Sequence, residues 1–222
     1  MQDRKVQVPA GPVTLEGNLG VPECAAGVVL FAHGSGSGRH SPRNRYVAET
    51  LREANLATLL IDLLTPDEEE EDLRTRHLRF DIGLLADRLA SATDWLLANP
   101  NTRNLRIGYF GASTGAGAAL VSAAKRAGVV GAVVSRGGRP DLAGVALPSV
   151  AAPTLLIVGG EDEPVIGMNR EAMEKMSAEK ELKIVPGATH LFEEPGKLEE
   201  VARLAAAWFV RYLGSTSNTN TE

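Results

Sequence analysis

The sequence predicts an α/β fold, a doubly wound and mostly parallel sheet with helices on both faces and an antiparallel hairpin at its start. Three observations carry this. Short, nearly continuous apolar runs recur along the chain, as strands buried on both faces require. Segments between them repeat their apolar residues every three to four positions, and strands alternating with helices imply parallel pairing. The first twenty residues instead alternate apolar and polar.

Val6 to Val8 and Val13 to Leu19 alternate around Pro9-Ala10-Gly11-Pro12, a turn-forming cluster, and read as the hairpin. The buried strands follow at Gly27 to Ala32, Ala57 to Ile61, Leu105 to Phe110, Val129 to Val134, Pro153 to Val158 and Glu181 to Val185. After the first of these, Ser41-Pro42 supplies an N-cap and a proline at the first helical position, and Tyr46, Val47, Leu51 and Ala54 give that helix its apolar face. Thr65 and Glu68 around Pro66 form a capping-box pattern. The acidic run Asp67 to Asp72 that follows is read as a solvated helix start rather than a cation site, with Glu70–Arg74 and Asp72–Arg76 as i,i+4 pairs. Leu84, Leu85, Leu89, Ala92, Trp95 and Leu96 keep the helical period. So do Leu198, Val201, Leu204, Ala205, Trp208, Phe209 and Tyr212 in the last helix. Residues 1–213 are expected to form one domain, and 214–222, rich in Ser, Thr and Asn, a flexible tail.

A chain of 222 residues with 44% apolar and 23% charged residues has the profile of a globular domain with a sizeable core. The single cysteine, Cys24, excludes a disulfide within the chain and a cysteine-based zinc site. Twenty-three basic against 28 acidic residues give a net charge of −5, which argues against nucleic acid or an anionic membrane as partner. No secretory leader follows Met1-Gln2-Asp3-Arg4-Lys5 and no apolar run is long enough to span a bilayer, so a cytoplasmic location is expected.

Gly111-Ala112-Ser113-Thr114-Gly115 fits G-x-S-x-G, and its setting gives it weight. It directly follows the strand Leu105 to Phe110 and precedes the small-residue helix Ala116 to Ala124, the strand-turn-helix context of a nucleophile elbow. A Cβ two residues either side of the serine should clash with neighbouring backbone in so sharp a turn. A serine hydroxyl needs a base, and the base an orienting acid. Of His33, His40, His77 and His190, only His190 follows Ser113 in the chain order this architecture uses, and it sits just past the strand Glu181 to Val185. Asp162, on the loop after Pro153 to Val158, is the best-placed acid, with Glu161 and Asp141 as competitors. The amides of Thr114 and Ser35, the latter in the loop His33-Gly34-Ser35-Gly36-Ser37-Gly38, are the candidate oxyanion donors. His33 itself reads as a bonded structural histidine.

At His33-Gly34-Ser35, Gly111 to Gly115, Gly160-Glu161-Asp162 and Ala188-Thr189-His190-Leu191-Phe192, in that order, the chain resembles the α/β-hydrolase superfamily. Within it, the chain is similar to the small uncapped enzymes like dienelactone hydrolases. The resemblance spans Gly27 to Leu213. It implies the α/β-hydrolase fold without a cap domain, Ser113 as nucleophile, Asp162 as acid, His190 as base, Ser35 and Thr114 as oxyanion donors, and no cofactor or metal. Dienelactone hydrolases themselves use cysteine where this chain has Ser113, so dienelactone as substrate is not implied. The stretches Arg39 to Arg45 and Ser135 to Asp141 also resemble a bacterial subgroup, some of whose members adjoin phosphoribosyltransferases.

The expected function is hydrolysis of carboxylic esters, thioesters or lactones through an acyl-enzyme. Only 17 residues, Arg136 to Ala152, separate two successive strands, too few for a cap, so the site should be open and suited to small substrates. Arginine outnumbers lysine 17 to 6, and Arg39, Arg43 and Arg45, with Arg136 and Arg139, leave strand ends on the catalytic edge. Arg43, Arg136 and Arg139 are therefore candidates to clamp an anionic substrate, the alternative being local pairs such as Arg139 with Asp141. The expected partner is a small-molecule ester, the protein a monomer or homodimer. Two rivals remain. A nucleotide-binding module would need a third glycine where Arg39 stands. A non-catalytic binding protein of the same fold would have no use for Ser113, Asp162 and His190 together.

Overall fold

The computed structural model describes residues 3–214, so the expected tail lies outside the described residues except for Gly214. β1 (Arg4–Ala10) and β2 (Val13–Gly20) pair antiparallel, from Arg4 opposite Leu19 to Ala10 opposite Val13. Gly11, at φ +66, turns the chain between them. β2 pairs antiparallel with β4 (Leu56–Ile61), and from there the sheet runs parallel through β3 (Gly27–Ala32), β5 (Arg106–Ala112), β6 (Val130–Arg136), β7 (Thr154–Gly159) and β8 (Lys180–Val185). The order is β1-β2-β4-β3-β5-β6-β7-β8. This is the α/β-hydrolase arrangement. Every residue of β3, β4 and β7 is buried, the pattern expected of strands covered on both faces.

The chain steps from β3 outward to β4 and then back past β3 to β5. In an open parallel sheet such a reversal leaves a crevice beyond the strands' C-terminal ends. The Gly34 to Gly38 loop and Ser113 both emerge there.

α1 (Pro42–Glu53) and α6 (Lys197–Leu213) cover one face, where Val47 and Leu51 of α1 and Trp208, Phe209 and Leu213 of α6 share a core with Val29, Phe31 and Val134. α3 (Ile82–Ala98) and α4 (Thr114–Lys125) cover the other, Leu89, Leu96 and Leu120 packing on Val28, Leu30 and Tyr109. Burying each such large apolar side chain contributes about 1.5–3 kcal/mol, which is what fixes the sheet against its helices. α5 (Glu163–Lys175), which the periodicity does not single out, packs Val165 and Ile166 on Val158.

Ser41 caps α1 by accepting from Asn44 N–H, and α2 (Pro66–Thr75) opens with the expected capping box. In it Thr65 Oγ1 accepts from Glu68 N–H while Glu68 Oε2 accepts from Thr65 N–H at 2.8 Å. The ion pairs expected along α2 do not form. Arg76 ends the helix at φ +57 and so leaves its face, and the buried Asp72 bonds the backbone N–H and guanidinium of Arg79 instead. Burial alone would raise the Asp72 carboxyl, but the Arg79 hydrogen bonds outweigh it and hold it below the usual range. Between β6 and β7 lies only a short 3-10 segment, Pro140–Ser149, broken at Gly144, so no cap covers the crevice. No helix among the described residues is long and apolar enough to cross a membrane.

Candidate active site

β5 runs straight through Gly111 and Ala112 into Ser113, which takes φ +50, ψ −123 before α4 begins at Thr114. A non-glycine residue held there costs of order 1–3 kcal/mol, so its surroundings must impose it. They do so through the backbone: Ser113 N–H donates to Arg136 O at 3.3 Å, and Ser113 O accepts from Ala116 N–H at 3.1 Å and Arg139 N–H at 3.0 Å. The two motif glycines are needed for room. A Cβ on Gly115 would lie 2.2 Å from Ala32 O, and one on Gly111 2.5 Å from Ala116 Cα.

His190 Nδ1 and Asp162 Oδ2 are 2.6 Å apart. Asp162 stands at the start of α5 but does not cap it. Its carboxylate is turned to the histidine because the two loops are joined backbone to backbone, Gly160 N–H donating to Val185 O (2.8 Å) and Glu161 N–H to Ala188 O (3.0 Å). The approach is so close that a Cβ on Gly159 would sit 2.4 Å from Ala188 O. A carboxylate only accepts, so Nδ1 carries the ring proton and Nε2 keeps its lone pair, the tautomer a base requires. Of the competing acids, Asp141 is committed to Arg139 through two bonds, at 2.8 and 2.7 Å. Arg136-Gly137 lies between Ser113 and His190: Arg136 O holds Ser113 N–H, and a Cβ on Gly137 would lie 3.5 Å from the His190 ring. Ser113 Oγ makes no hydrogen bond to His190 in this structure.

Ser35 and Thr114, the two expected oxyanion donors, are also brought together. A Cβ on Gly34 would touch Ser113 Cβ at 3.0 Å, so the loop lies against the nucleophile. Sequence reasoning misses one feature here: at rest Ser35 N–H donates to Thr114 Oγ1 at 3.1 Å, and the two hydroxyls are 3.0 Å apart. The loop is anchored by His33, whose Nε2 accepts from Leu63 N–H at 2.9 Å, so that Nδ1–H donates to Gly34 O at 3.0 Å.

Burial pushes the His33 ring below its ordinary value, against the smaller opposing effects of Gly34 and Asp62. With a folded-state pKa beneath an unfolded value of about 6.5, His33 stabilises the fold fully above that pH. It loses the contribution as pH falls further, by up to about 1.4 kcal/mol per pH unit. Urea unfolding between pH 7.5 and 5 should therefore show a steeper acid loss for wild type than for His33→Gln. Parallel curves would mean that His33 protonates freely in the fold.

The five arginines expected near this edge divide. Arg39 is bound to Asp62 and Glu16, and Arg139 to Asp141, so neither is available as a clamp. Arg45 is exposed and lines a second, smaller depression with Asp3 and Glu49. Arg43 reaches Glu193 at 2.9 Å, while Arg136 is buried, 7% exposed, with a single 3.4 Å bond from Nη2 to Asn44 Oδ1. Burial and the neighbouring Arg43 push the Arg136 guanidinium down to about 10, so it is still charged at neutral pH.

A cleft of about 570 Å³ opens beside the Gly34 to Gly38 loop and Thr114 and extends to Glu69, Asp72 and Leu73 of α2, while Ser113, Asp162 and His190 lie outside its lining. The expected solvated helix thus borders the crevice. Its legible sign was Leu73, an apolar residue in an acidic run that remains 73% exposed. Burial, with Asp62 nearby, raises the Glu69 carboxyl.

The family model of the dienelactone hydrolase family matches residues 43–213. A crystal structure of dienelactone hydrolase from Anabaena variabilis is 67% identical, covering 96% of this chain and 98% of its own, with a TM-score of 0.94. Est1E from Butyrivibrio proteoclasticus shares the fold alone, at 14% identity, TM-score 0.78, and 94% and 98% coverage. Two Mycobacterium tuberculosis proteins named "Putative phosphoribosyl transferase" are 61% identical over 213 residues, 96% of this chain but 47% of theirs. The chain spans about half the length of those curated relatives.

Proposed function

The chain belongs to the dienelactone hydrolase family, and from that premise we propose that it is a serine hydrolase cleaving carboxylic ester, thioester or lactone bonds of small substrates. The observation that carries the reading is the 2.6 Å His190–Asp162 bond together with a serine held in the elbow conformation. Ser113 Oγ attacks the carbonyl carbon as its proton passes to His190 Nε2, and Asp162 stabilises the imidazolium that forms. The oxyanion takes hydrogen bonds from Thr114 N–H, which has no helical partner in the first turn of α4, and from Ser35 N–H once Thr114 Oγ1 releases it. Collapse breaks the bond to the leaving alcohol or thiol, which takes the proton from His190. Water then attacks the acyl-enzyme by the same route in reverse and returns Ser113 with the free acid.

The transferase name of the mycobacterial relatives describes proteins twice as long, so it is not carried to this chain. The ester chemistry is assigned to the half they share. Acid-quenched mixtures with p-nitrophenyl acetate should contain an acetyl group on Ser113. Turnover without that adduct would favour direct attack by water and overturn the acyl-enzyme.

A crevice with only a short 3-10 segment between β6 and β7, and so no cap above it, holds short acyl groups better than long ones. kcat/KM for p-nitrophenyl esters should peak between acetyl and butyryl and fall toward palmitoyl. A steady rise with chain length would contradict an open, shallow site.

A further inference from the structure

An edge strand presents a row of N–H and C=O groups to any chain that can pair with it, and the two edges of this sheet differ in how they meet that hazard. β1 includes Pro9, which has no N–H to give a further strand. β8 has neither proline nor bulge: it keeps register with β7 from Lys180 to Val185, and among the described residues nothing pairs with its outer side. Lysines usually shield such an edge. Here Lys180 Nζ is folded back onto Met176 O just past α5, and Lys183 Nζ lies on its own Glu181 Oε1 at 2.6 Å.

The backbone decides which groups face out. Thr154 N–H donates to Glu179 O at 2.9 Å and Gly160 N–H to Val185 O at 2.8 Å, so the odd-numbered residues here turn their polar groups to β7. Lys180, Leu182 and Ile184 therefore turn theirs outward. A second copy joined antiparallel about a two-fold axis must set these outward groups opposite one another. With Leu182 opposite Leu182 of the second copy, Lys180 faces Ile184, and Glu181 faces Lys183 on both sides of the axis. The next register either way sets Glu181 opposite Glu181 or Lys183 opposite Lys183, and like charges directly opposite are destabilising. Charge thus selects one register. That register also brings together Leu182, half-buried against Val158, Val165 and Ile166, and Ile184, which is 38% exposed on the same face.

We propose that this chain forms a homodimer by joining β8 to β8 antiparallel, with Leu182 opposite Leu182 and Glu181 opposite Lys183, so that the two sheets become one. Nothing in this depends on the hydrolase reading.

Sedimentation velocity tests it by charge exchange. Wild type should approach twice the chain mass at about 100 µM. Glu181→Lys and Lys183→Glu each set like charges across the axis and should each weaken self-association by about 10-fold or more, an effect that added salt narrows. The double swap should restore the dimer, and the two single variants mixed in equal amounts should form a mixed dimer. Hydrogen exchange on wild type needs no substitution, so it serves even if a swapped chain misfolds. The amides of Leu182 and Ile184 should be protected at high concentration and lose that protection on dilution. A wild type that stays monomeric throughout, or a dimer with these amides unprotected, would overturn the proposal. So would a dimer indifferent to the single swaps, or a double swap no better than the singles.

Discussion

Replacing Ser113 by alanine is expected to lower kcat for p-nitrophenyl acetate by about 10³-fold or more, equivalent to some 4 kcal/mol of transition-state stabilisation. His190→Ala should lose about as much, since nucleophile and base act as a unit. The fold should survive Ser113→Ala because the serine hydroxyl neither caps α4 nor bonds the core, and the elbow is held by backbone groups that alanine keeps. Far-UV circular dichroism and Tm within a few degrees of wild type would establish that only chemistry was removed. A variant that kept more than about a tenth of the wild-type rate would show that another group attacks the ester.

Asp162→Asn carries the second large effect, a loss of about 10²- to 10⁴-fold in kcat with little change in KM. The 2.6 Å bond to His190 Nδ1 is charge-assisted, and it both fixes the tautomer and stabilises the imidazolium. An asparagine can turn its amide N–H toward Nδ1, which moves the ring proton to Nε2 and removes the base. Glu161→Gln, one residue away, should change kcat less than about threefold. If the two variants exchanged these effects, the acid would be Glu161 and the carboxylate contact at His190 would have no catalytic meaning.

The parts of the fold and site that could be read from the sequence were those set by local pattern. Buried parallel strands show as continuous apolar runs, caps as Ser41-Pro42 and Thr65 with Glu68, and the elbow as two glycines that no Cβ could replace. Chain order then left His190 as the only histidine after Ser113, and the structure brings Ser113, Asp162 and His190 to one edge. What was not legible depends on which side chains meet across the sheet. Arg139 turns to Asp141 and Arg39 to Asp62, while Arg136 is buried without an acid, yet all three look alike as arginines after strands. Asp72 passes over Arg76 for Arg79 because the helix ends at Arg76, whose left-handed backbone takes it off the helical face. The Thr114 hydroxyl on Ser35 N–H joins residues 79 positions apart, a contact no spacing rule signals.

The central claim is that Ser113 is a nucleophile activated by His190, and active-site titration with a fluorophosphonate tests it most directly. Only an assembled nucleophile, base and oxyanion hole reacts rapidly and once. Intact mass and peptide mapping should show one adduct per chain, on Ser113, absent from Ser113→Ala and strongly slowed in His190→Ala. No labelling of the folded wild type, or labelling at any other residue, would contradict it.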